Sequence, residues 1–525
     1  MVWRKDDPQG DEARKILWET VPYTRGRGLD VGCGPNKIWP HAIGVDSCLD
    51  TQLFGIAMQP DIVTDCTKLD VFASQSMNWV FSSHMLEHLD DPLPAMREMW
   101  RVLKQGGHLI LYLPDEDEYP KVGEEGANPD HKWNVNRVKV IEYMTQVGGW
   151  DLVESQKRNE GTEYSLYFVF KKFSDAKIHR LSCDAPRPAK TAAVVRYGAW
   201  GDALQMTSIL PGLKEQGYHV TLYTVPRAWE VVEHEPLIDR VVLQDPDQVP
   251  NAWLGPFWEY LRTRYDRFIN LSESVEGTFL AMPGRIQYGW TPEARHMLMN
   301  GNYLEFAHKA AGVPYERPLS RFVATEEEQK WAKAEKAKIG AAPLIMWVLA
   351  GSSIHKVWEG IDTVLARIMV AIPGAKVVTV GDERCKTMIE APWEREPRIV
   401  RRSGDMSIRK TLALAQVCDV VIGPETGVMS GVAMEAMPKI ILLSHSTVEN
   451  LTRDWVNTYS LSAQTGCRGC HKMVYGWDQC VRDDRTGTAQ CMANITPDAV
   501  WNALCRAIMP EDVKITIPVP EREMA

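Results

Sequence analysis

Residues 29–35 read LDVGCGP, and this stretch decides the fold of the first half of the chain. It ends a short apolar strand with two glycines, Gly32 and Gly34, which allow the backbone to turn sharply and to approach a ligand closely. In α/β proteins, ligands bind beyond the carboxyl ends of the parallel strands. The stretch therefore predicts a ligand-binding turn at the edge of a sheet.

Short β-rich runs alternate with helical patterns around this turn, as far as residue 173. The runs are GLDVG, AIGVD, DIVTD, MNWVFSS, HLILYLP and YSLYFVFKK. Strands separated by helices predict a mostly parallel sheet that is covered on both faces. We therefore assign residues 1–173 to one Rossmann-like α/β domain.

The rest of the chain contains two further alternating series. One begins at TAAVVRY (191–197), the other begins at PLIMWVLAGSS (343–353), and a helical stretch at 325–340 separates them. The pattern predicts two Rossmann-like lobes, at 191–325 and 326–510, with a cleft between them. Residues 174–190 contain two prolines and no apolar period, so we expect a linker there. We expect the tail, 511–525, to fray.

Charge and hydropathy restrict the location and the partners. No run approaches the roughly 20 apolar residues that cross a bilayer. The charged start, MVWRKDDPQGDEARK, lacks the apolar centre of a secretion signal, so we expect a cytoplasmic protein. Residues 1–173 hold 19 Lys and Arg against 27 Asp and Glu. This balance disfavours nucleic acid as a substrate, although a local basic patch stays open.

Two neighbouring strands of the first domain also end in carboxylates. The second strand ends at Asp46, where a carboxylate can accept both hydroxyls of a ribose, and the third leads to Asp65 and Cys66 at the position of an adenine edge. A glycine loop followed by an acid is also compatible with NAD. The sequence DVGCGP disfavours NAD because it lacks the third glycine of G-x-G-x-x-G.

Together with FSSHMLEHLDDP (81–92) and RVLKQGGHLILYLP (101–114), these strand ends resemble the class I S-adenosylmethionine-dependent methyltransferases over nearly all of residues 11–173. The resemblance implies a cofactor site formed by Gly32 and Gly34 at the methionine part, Asp30 beneath them, Asp46 at the ribose, Asp65 and Cys66 at the adenine, and Ser83 at the end of the fourth strand.

Candidate proton acceptors follow the fourth strand. His84 and His88 flank Glu87 where substrates of this fold approach, and His131 lies in a later loop. Histidine titrates near neutral pH, so either of the first two could deprotonate an acceptor hydroxyl. Each histidine could instead be structural, because methyl transfer often needs only alignment of the acceptor with the sulfonium.

The second half has its own glycine-rich loop, VRYGAWGD, which leads through Gly201 to Asp202. Such an acid can simply cap a helix. Farther on, Glu425, Thr426 and Gly427 end a strand and open a helix predicted over GVMSGVAMEAM. A helix N-terminus of this kind suits a diphosphate.

These stretches, with Ser352, Ser353 and Lys356 after the strand PLIMWVLA, resemble glycosyltransferase family 9, the ADP-heptose:lipopolysaccharide heptosyltransferases and their relatives, over about residues 191–508. The resemblance implies a GT-B fold that binds a nucleotide sugar without a metal at the diphosphate. Asp202 would be the general base of an inverting transfer, and Lys356 would neutralise the leaving diphosphate. Gly201, Ser352, Ser353, Glu425, Thr426 and Gly427 would bind substrate.

Two positions depart from the family pattern, which often has Asp at Glu425 and His at Ser430. Nucleotide-sugar binding survives such changes, but heptose specificity does not follow from them. The acceptor is therefore expected only as a small molecule or a glycan, with peripheral contact at a membrane if that glycan is lipid-linked.

Four cysteines cluster between residues 467 and 491: Cys467, Cys470, Cys480 and Cys491. They could hold a structural zinc, although the spacings after the first pair are irregular for the common zinc modules. Unliganded thiols are the alternative. Cys-x-x-Cys-His also spells a c-type haem attachment site, which the expected cytoplasmic location disfavours.

The sequence as a whole predicts a bifunctional enzyme that transfers a sugar and methylates the same or a related acceptor. Two alternatives stay open. One domain could be only a binding or docking module, or the two domains could modify a nucleic acid or a protein surface.

Overall fold

The computed structural model describes residues 11–48, 52–53, 56–316, 319–351, 353–476 and 479–508. The tail expected at 511–525 lies outside these ranges. The described residues form two compact units: one takes the residues through Ala189 together with Val242–Asp266, and the other takes Lys190–Val241 and the residues from Arg267 onward. Within the described ranges no helix is both long enough and apolar enough to traverse a lipid bilayer.

The first unit is built on an eight-stranded sheet. In chain order the strands of this unit are β1 (Gly28–Val31), β2 (Ile43–Asp46), β3 (Gln52–Leu53), β4 (Ile56–Ala57), β5 (Ile62–Val63), β6 (Met77–Ser83), β7 (Leu103–Pro114), β8 (Trp150–Arg158), β9 (Ser165–Lys172) and β10 (His179–Arg180). The order in the sheet is β10-β8-β9-β7-β6-β1-β2-β5, and β3 and β4 form a separate antiparallel pair.

The predicted parallel sheet is confirmed, with one exception. All six predicted runs contain a strand, and β9 alone runs antiparallel to its neighbours, β7 and β8. The sequence analysis did not predict β8. Part of the expected linker, His179–Arg180, also joins this sheet by pairing with β8 at Trp150 and Asp151.

The second unit contains two further sheets, which confirms the predicted α/β class. Their strands are β11 (Thr191–Val195), β12 (His219–Thr224), β13 (Arg240–Leu243), β14 (Arg267–Asn270), β15 (Leu344–Val348), β16 (Lys376–Val380), β17 (Ile399–Arg401), β18 (Val420–Pro424), β19 (Lys439–Leu442) and β20 (Thr458–Leu461). One sheet has the order β13-β12-β11-β14, and the other has the order β17-β16-β15-β18-β19-β20. The six-stranded sheet is parallel throughout.

Helices connect these strands in both units. In chain order they are α1 (Leu93–Val102), α2 (Arg137–Thr145), α3 (Trp200–Met206), α4 (Leu210–Glu215), α5 (Pro226–Trp229), α6 (Leu254–Arg264), α7 (Ser272–Phe279), α8 (Pro292–Met299), α9 (Tyr303–Ala311), α10 (Glu326–Ile339), α11 (Ile361–Ala371), α12 (Glu383–Met388), α13 (Ile408–Ala415), α14 (Gly427–Gly431), α15 (Gln490–Ala493) and α16 (Pro497–Ile508).

Two of these helices test the sequence expectations directly. The helix expected at 325–340 is confirmed as α10, where Thr325 and Glu328 form a capping box and Gly340 ends the helix in the left-handed conformation. The helix expected over GVMSGVAMEAM is wrong in length, because α14 ends at Gly431. Val432 leaves the helical region, with φ −108° and ψ 6°.

Residues 242–266 interrupt the second series and pack within the first unit. The rings of Trp253 and Phe257 lie 6.4 and 5.7 Å from that of Trp18. The amide of Gln248 donates to the carbonyl of Val21 at 2.8 Å. This segment therefore completes an aromatic core of the first unit, although the chain on both sides of it belongs to the second.

Candidate functional site

The glycine turn after β1 has room for backbone but not for side chains. Gly32 has φ +76° and Gly34 has φ +56°. A Cβ atom on Gly32 would lie 2.6 Å from Cγ of Met85, so this position is restricted by both conformation and space. The amide of Gly34 donates to the carboxylate of Asp46 at 3.1 Å. This bond ties the turn to the end of β2.

Asp30 lies beneath the turn and is 2% exposed. Its carboxylate accepts a hydrogen bond of 2.6 Å from the amide of Ile38, so it braces the loop that follows the glycines. Burial raises the pKa of Asp30 to about 7, although the Ile38 amide and the Lys37 ammonium oppose that rise.

The other strand-end residues of the predicted cofactor site are more accessible. Asp46 is half-buried, and Asp65 is exposed. The amide and hydroxyl of Thr67 both donate to Asp65 at 2.8 Å and lower its pKa. Burial raises the pKa of the Cys66 thiol to about 11. The hydroxyl of Ser83 is buried and lacks a hydrogen-bond partner among the described residues.

The two candidate histidines occupy different environments. His84 has φ +47°, and its Nε2 atom lies 2.9 Å from the hydroxyl of Ser165. Burial lowers the pKa of His84 to about 3, so this imidazole is neutral and weakly basic at neutral pH. The side chain of His88 is 35% exposed, and its pKa is lowered less, again by burial.

Glu87 is the feature that the sequence did not distinguish. It lies in a 3₁₀ turn, Leu86–His88, and is fully buried. Its Oε1 atom lies 3.5 Å from Nδ1 of His84, 4.0 Å from Nε2 of His88 and 3.9 Å from Nε2 of His131. The sequence shows these residue types near one another, but it contains no signal for the burial of the carboxylate.

In the second unit, Asp202 does cap a helix, the simpler of the two roles that the sequence allowed. Its Oδ2 atom accepts from the amide of Ala199, at the start of α3, at 2.8 Å. Its Oδ1 atom accepts from Nη2 of Arg196 at 2.8 Å. The carboxylate is still 37% exposed, so capping does not remove it from the cleft.

Two residues that were not predicted support Asp202: Arg196 donates to it directly, and Glu276 in turn accepts from Arg196. Arg196 is 3% exposed and also donates to Glu276 at 2.6 Å and to the carbonyl of Leu271 at 2.7 Å. Burial raises the pKa of Glu276 to about 7, against the opposing effect of Arg196. The position of Arg196, directly before the glycine-rich loop, is a signal that could have identified it. Glu276 offered no such signal.

Across the cleft, Glu425 organises a loop. Its Oε1 atom accepts from the amides of Ser444 and Ser446 at 2.8 and 3.1 Å, and its Oε2 atom lies 2.5 Å from Nδ1 of His445. Burial alone would raise the pKa of Glu425, but His445 and Lys356 together lower it. The carboxylate predicted to bind substrate therefore already has protein partners.

Lys356 is 7% exposed, and burial lowers its pKa while Glu425 and Asp202 oppose that effect. Ser353 is buried, with its hydroxyl 2.7 Å from the sulfur of Met473, a contact that occupies it within the protein. Ser352 lies outside the described residues.

One cleft of about 390 Å³ brings most of the predicted residues of the second unit together. Its lining includes Gly201, Asp202, Lys356, Glu425, Thr426 and Gly427. The start of α3 and the start of α14 approach each other closely at their glycines. A Cβ atom on Gly427 would lie 2.8 Å from Cβ of Trp200 and 3.2 Å from the amide nitrogen of Gly201. The arrangement therefore presents a carboxylate and an ammonium group to one ligand space.

The cleft is lined by charged side chains of both signs. Its carboxylates already accept hydrogen bonds from the protein: Asp382 accepts from the amide of Cys385 at 3.1 Å, and Asp202 and Glu425 are bonded as described above. Its cations are Lys356, Arg227 and Arg402. Arg402 also donates to Glu335 at 2.7 Å, so a ligand in the cleft meets both cationic and anionic groups that already have partners in the protein.

The four clustered cysteines are free thiols. Burial raises the pKa of Cys470 to about 11, and Cys467 and Cys480 raise it further. Within the described parts of the chain, the groups of three metal-ligand side chains whose ligand atoms lie within 4.8 Å of one another do not include a cysteine. The structural zinc therefore stays a hypothesis.

Comparisons with known proteins give a family match for the first half. Residues 29–111 match the family model of a methyltransferase domain. No curated protein sequence matches the chain significantly. A SAM-dependent methyltransferase from Archaeoglobus fulgidus is similar in structure, with a TM-score of 0.25 and 19% identity over 30% of this chain and 92% of that one.

For the second half, the glycosyl transferase family 9 protein from Veillonella parvula has a TM-score of 0.45 and 16% identity over 62% of this chain and 98% of its own. The ADP-heptose LPS heptosyltransferase II of E. coli has a TM-score of 0.43 and 15% identity over 61% and 98%. Residues 29–111 are thus similar to a methyltransferase domain, as expected from the sequence.

Proposed function

We propose that this protein is a bifunctional transferase, which methylates from S-adenosylmethionine and transfers a sugar from a nucleotide sugar to a glycan or small-molecule acceptor. The observation that carries the glycosyl half is the cleft in which Asp202 and Lys356 face the same ligand space. The methyl half rests on the match of residues 29–111 to the methyltransferase family model.

The turn after β1 fits S-adenosylmethionine, which supplies the methyl group when bound. A Cβ atom on Gly32 would collide with the side chain of Met85, so this position of the turn suits only glycine. Asp46 is only half-buried and is fixed by the amide of Gly34. Its carboxylate then accepts ribose hydroxyls, while Asp30 braces the loop from below.

In the second site, Asp202 takes the proton of the acceptor hydroxyl. Arg196 donates to this carboxylate at 2.8 Å and orients it. Lys356 neutralises the negative charge that accumulates on the departing diphosphate, and the backbone at Thr426 and Gly427 adds hydrogen-bond donors there. Electrostatic support of this kind is usually a large part of catalysis. The ADP-heptose donor named for the E. coli enzyme is the first donor to test.

The test compares two variants of the full chain, each of which is expected to lose affinity for only one of the two ligands. Asp46→Asn should weaken binding of S-adenosylmethionine by roughly 10-fold or more, since it replaces a charged hydrogen bond by a neutral one, and should leave binding of ADP- and UDP-sugars unchanged. Lys356→Ala should weaken binding of ADP- and UDP-sugars and should leave binding of S-adenosylmethionine unchanged. Calorimetric titrations give both affinities, and transfer of a labelled methyl group to a glycosylated product tests joint action. If the unsubstituted chain binds neither class of ligand, the proposal is wrong.

A further inference from the structure

Three side chains near the end of β6 form a compact group. Glu87, His88 and His131 each offer one ligand atom, and these atoms all lie within 4.8 Å of one another. They come from two segments, because Glu87 and His88 lie in the 3₁₀ turn after β6 and His131 lies in the loop after β7. The chain thus brings together two imidazoles and a carboxylate that are 43 residues apart in sequence.

The carboxylate of Glu87 is buried and is not hydrogen-bonded to any described residue. The residue is 0% exposed, and among the described residues neither of its oxygens has a hydrogen-bond partner on another side chain or backbone. Burying a carboxylate without compensation is costly, and buried charges in proteins are paired or coordinate metals. His84, His88 and His131 all turn a ring nitrogen toward Oε1 at 3.5–4.0 Å, which is beyond hydrogen-bond length.

We propose that Glu87, His88 and His131 bind a divalent transition metal ion. Two imidazoles and one carboxylate suit Zn²⁺, Fe²⁺, Co²⁺ or Mn²⁺ better than Mg²⁺ or Ca²⁺, which prefer oxygen ligands throughout. Metal–ligand bonds of about 2.0–2.2 Å place neighbouring ligand atoms roughly 3–3.5 Å apart. The observed separations of 3.9 and 4.0 Å therefore need only a small contraction.

The surroundings of the three ligands are fixed in advance of binding. The amide of Lys132 donates to the carbonyl of Glu87 at 2.8 Å, and the indole of Trp133 donates to the carbonyl of Leu86 at 3.0 Å. These two bonds pin the loop that carries His131 against the turn that carries the other ligands.

Three protein ligands leave coordination positions for oxygen atoms from outside the protein, as catalytic rather than structural metal sites do. The site follows Met85, which contacts the space above Gly32, so it lies beside the turn proposed for S-adenosylmethionine. We assign the open positions to water or to an oxygen of the methyl acceptor. The assignment to the acceptor rests on the proposed function, whereas the metal site itself does not.

The experiment measures metal binding on the full chain in a background that removes the first two of the four clustered thiols. The double variant Cys467→Ser/Cys470→Ser is stripped with a chelator and titrated with Co²⁺ alone, by calorimetry and visible absorption. We expect one equivalent to bind with a spectrum that lacks thiolate charge-transfer bands. Adding Glu87→Gln or His131→Ala should abolish this binding, and adding His234→Ala, which removes an exposed histidine, should not.

A folding defect is distinguished by titrating S-adenosylmethionine into each variant. A variant that keeps this affinity and loses Co²⁺ supports the metal site. Failure of every variant and of the parent to bind S-adenosylmethionine would count against the proposed methyl transfer and leave the metal result intact. Equal Co²⁺ binding with and without Glu87→Gln, or none in the stripped parent, would overturn the metal site.

Discussion

Arg196 donates a hydrogen bond of 2.8 Å to the carboxylate of Asp202 from a position that is almost completely buried. The same guanidinium donates to Glu276 at 2.6 Å. One cation therefore serves two carboxylates, of which one faces the cleft and the other lies behind it. The proposed base of the second site thus depends on residues that do not themselves line the cleft.

Removing this cation should destabilise the second unit strongly. Arg196→Ala leaves Glu276 buried without its partner, and breaking a buried pair in this way costs about 3–5 kcal/mol. Arg196→Lys should destabilise the unit less than Arg196→Ala does. Its ammonium group keeps the charge but cannot reach both carboxylates in the same geometry. Urea unfolding measures the loss. Glu273 lies on the same helix as Glu276 and pairs with Arg285 at the surface. Arg285→Ala, which should cost less than about 1 kcal/mol, is therefore the control.

Asp202→Asn should reduce sugar transfer by roughly 10²–10⁴-fold, the usual contribution of a general base. Donor affinity should stay unchanged, since an amide oxygen still accepts from Ala199 and preserves the start of α3. Asp382 also lines the cleft and also caps a helix, so Asp382→Asn is the matched control and should transfer sugar at close to the original rate. Equal losses in the two variants would mean that Asp202 acts only as a cap.

Gly32→Ala should weaken binding of S-adenosylmethionine much more than Gly106→Ala. Both glycines have φ +76°, so an alanine meets the same conformational strain at either position. A Cβ atom on Gly106 would have nothing within 4 Å, whereas one on Gly32 would collide with Met85. The difference between the two variants therefore isolates crowding at the turn, and calorimetric titration measures it. Equal affinities would place the cofactor elsewhere.

The stability of the first unit should depend on pH through Asp30. Below about pH 4 this carboxyl is protonated in both the folded and the unfolded chain. Between about pH 4 and 7 the unfolded chain releases the proton while the folded chain keeps it, so stability falls as the pH rises through this window and is constant above it. The full loss is roughly 4 kcal/mol at most.

Asp30→Asn removes this titration and still accepts from Ile38. Relative to the parent, the variant should therefore gain stability steadily between about pH 4 and 7. Hydrogen exchange of residues 28–46 at several pH values reports on this unit alone. A constant difference between variant and parent across the range would show that Asp30 does not titrate there.

Phe257→Ala should destabilise the first unit, although this residue follows the first strands of the second. Its ring lies 5.7 Å from that of Trp18 and is 1% exposed, and truncating a buried phenylalanine costs about 3–5 kcal/mol. Faster hydrogen exchange in residues 16–31 would reveal the loss. Met297→Ala, at a side chain that is 75% exposed, should leave exchange there unchanged.

The sequence predicted the parts of these sites that follow from local pattern. Gly32 directly follows β1 and Asp46 ends β2, while Asp202 and Thr426 lie at the starts of the helices after β11 and β18. Parallel strands deliver such residues to one edge of a sheet. The burial of Glu87 and the pairing of Arg196 with Glu276 depend on which distant residues close over them. Hydrophobic periodicity carries no information about that closure.

The length of α14 and the partner of residues 242–266 could not be predicted for a related reason. The run GVMSGVAMEAM has good helix-forming residues, but propensity is a weak guide where buried packing governs the backbone. The aromatic side chains of Trp253 and Phe257 indicate that the segment packs into a hydrophobic core. They do not indicate which unit contains that core. In sequence they are indistinguishable from residues that pack on the nearest sheet.

The course of residues 242–266 has a consequence for any attempt to divide this enzyme. The polypeptide crosses from one unit to the other near residues 189, 241 and 266, so no single cut yields two intact pieces. A fragment that stops at the linker would lose the partners of Trp18, and the complementary fragment would carry Trp253 and Phe257 stripped of their neighbours. Exchange of either half with a related protein therefore has to move two separate stretches of chain at once.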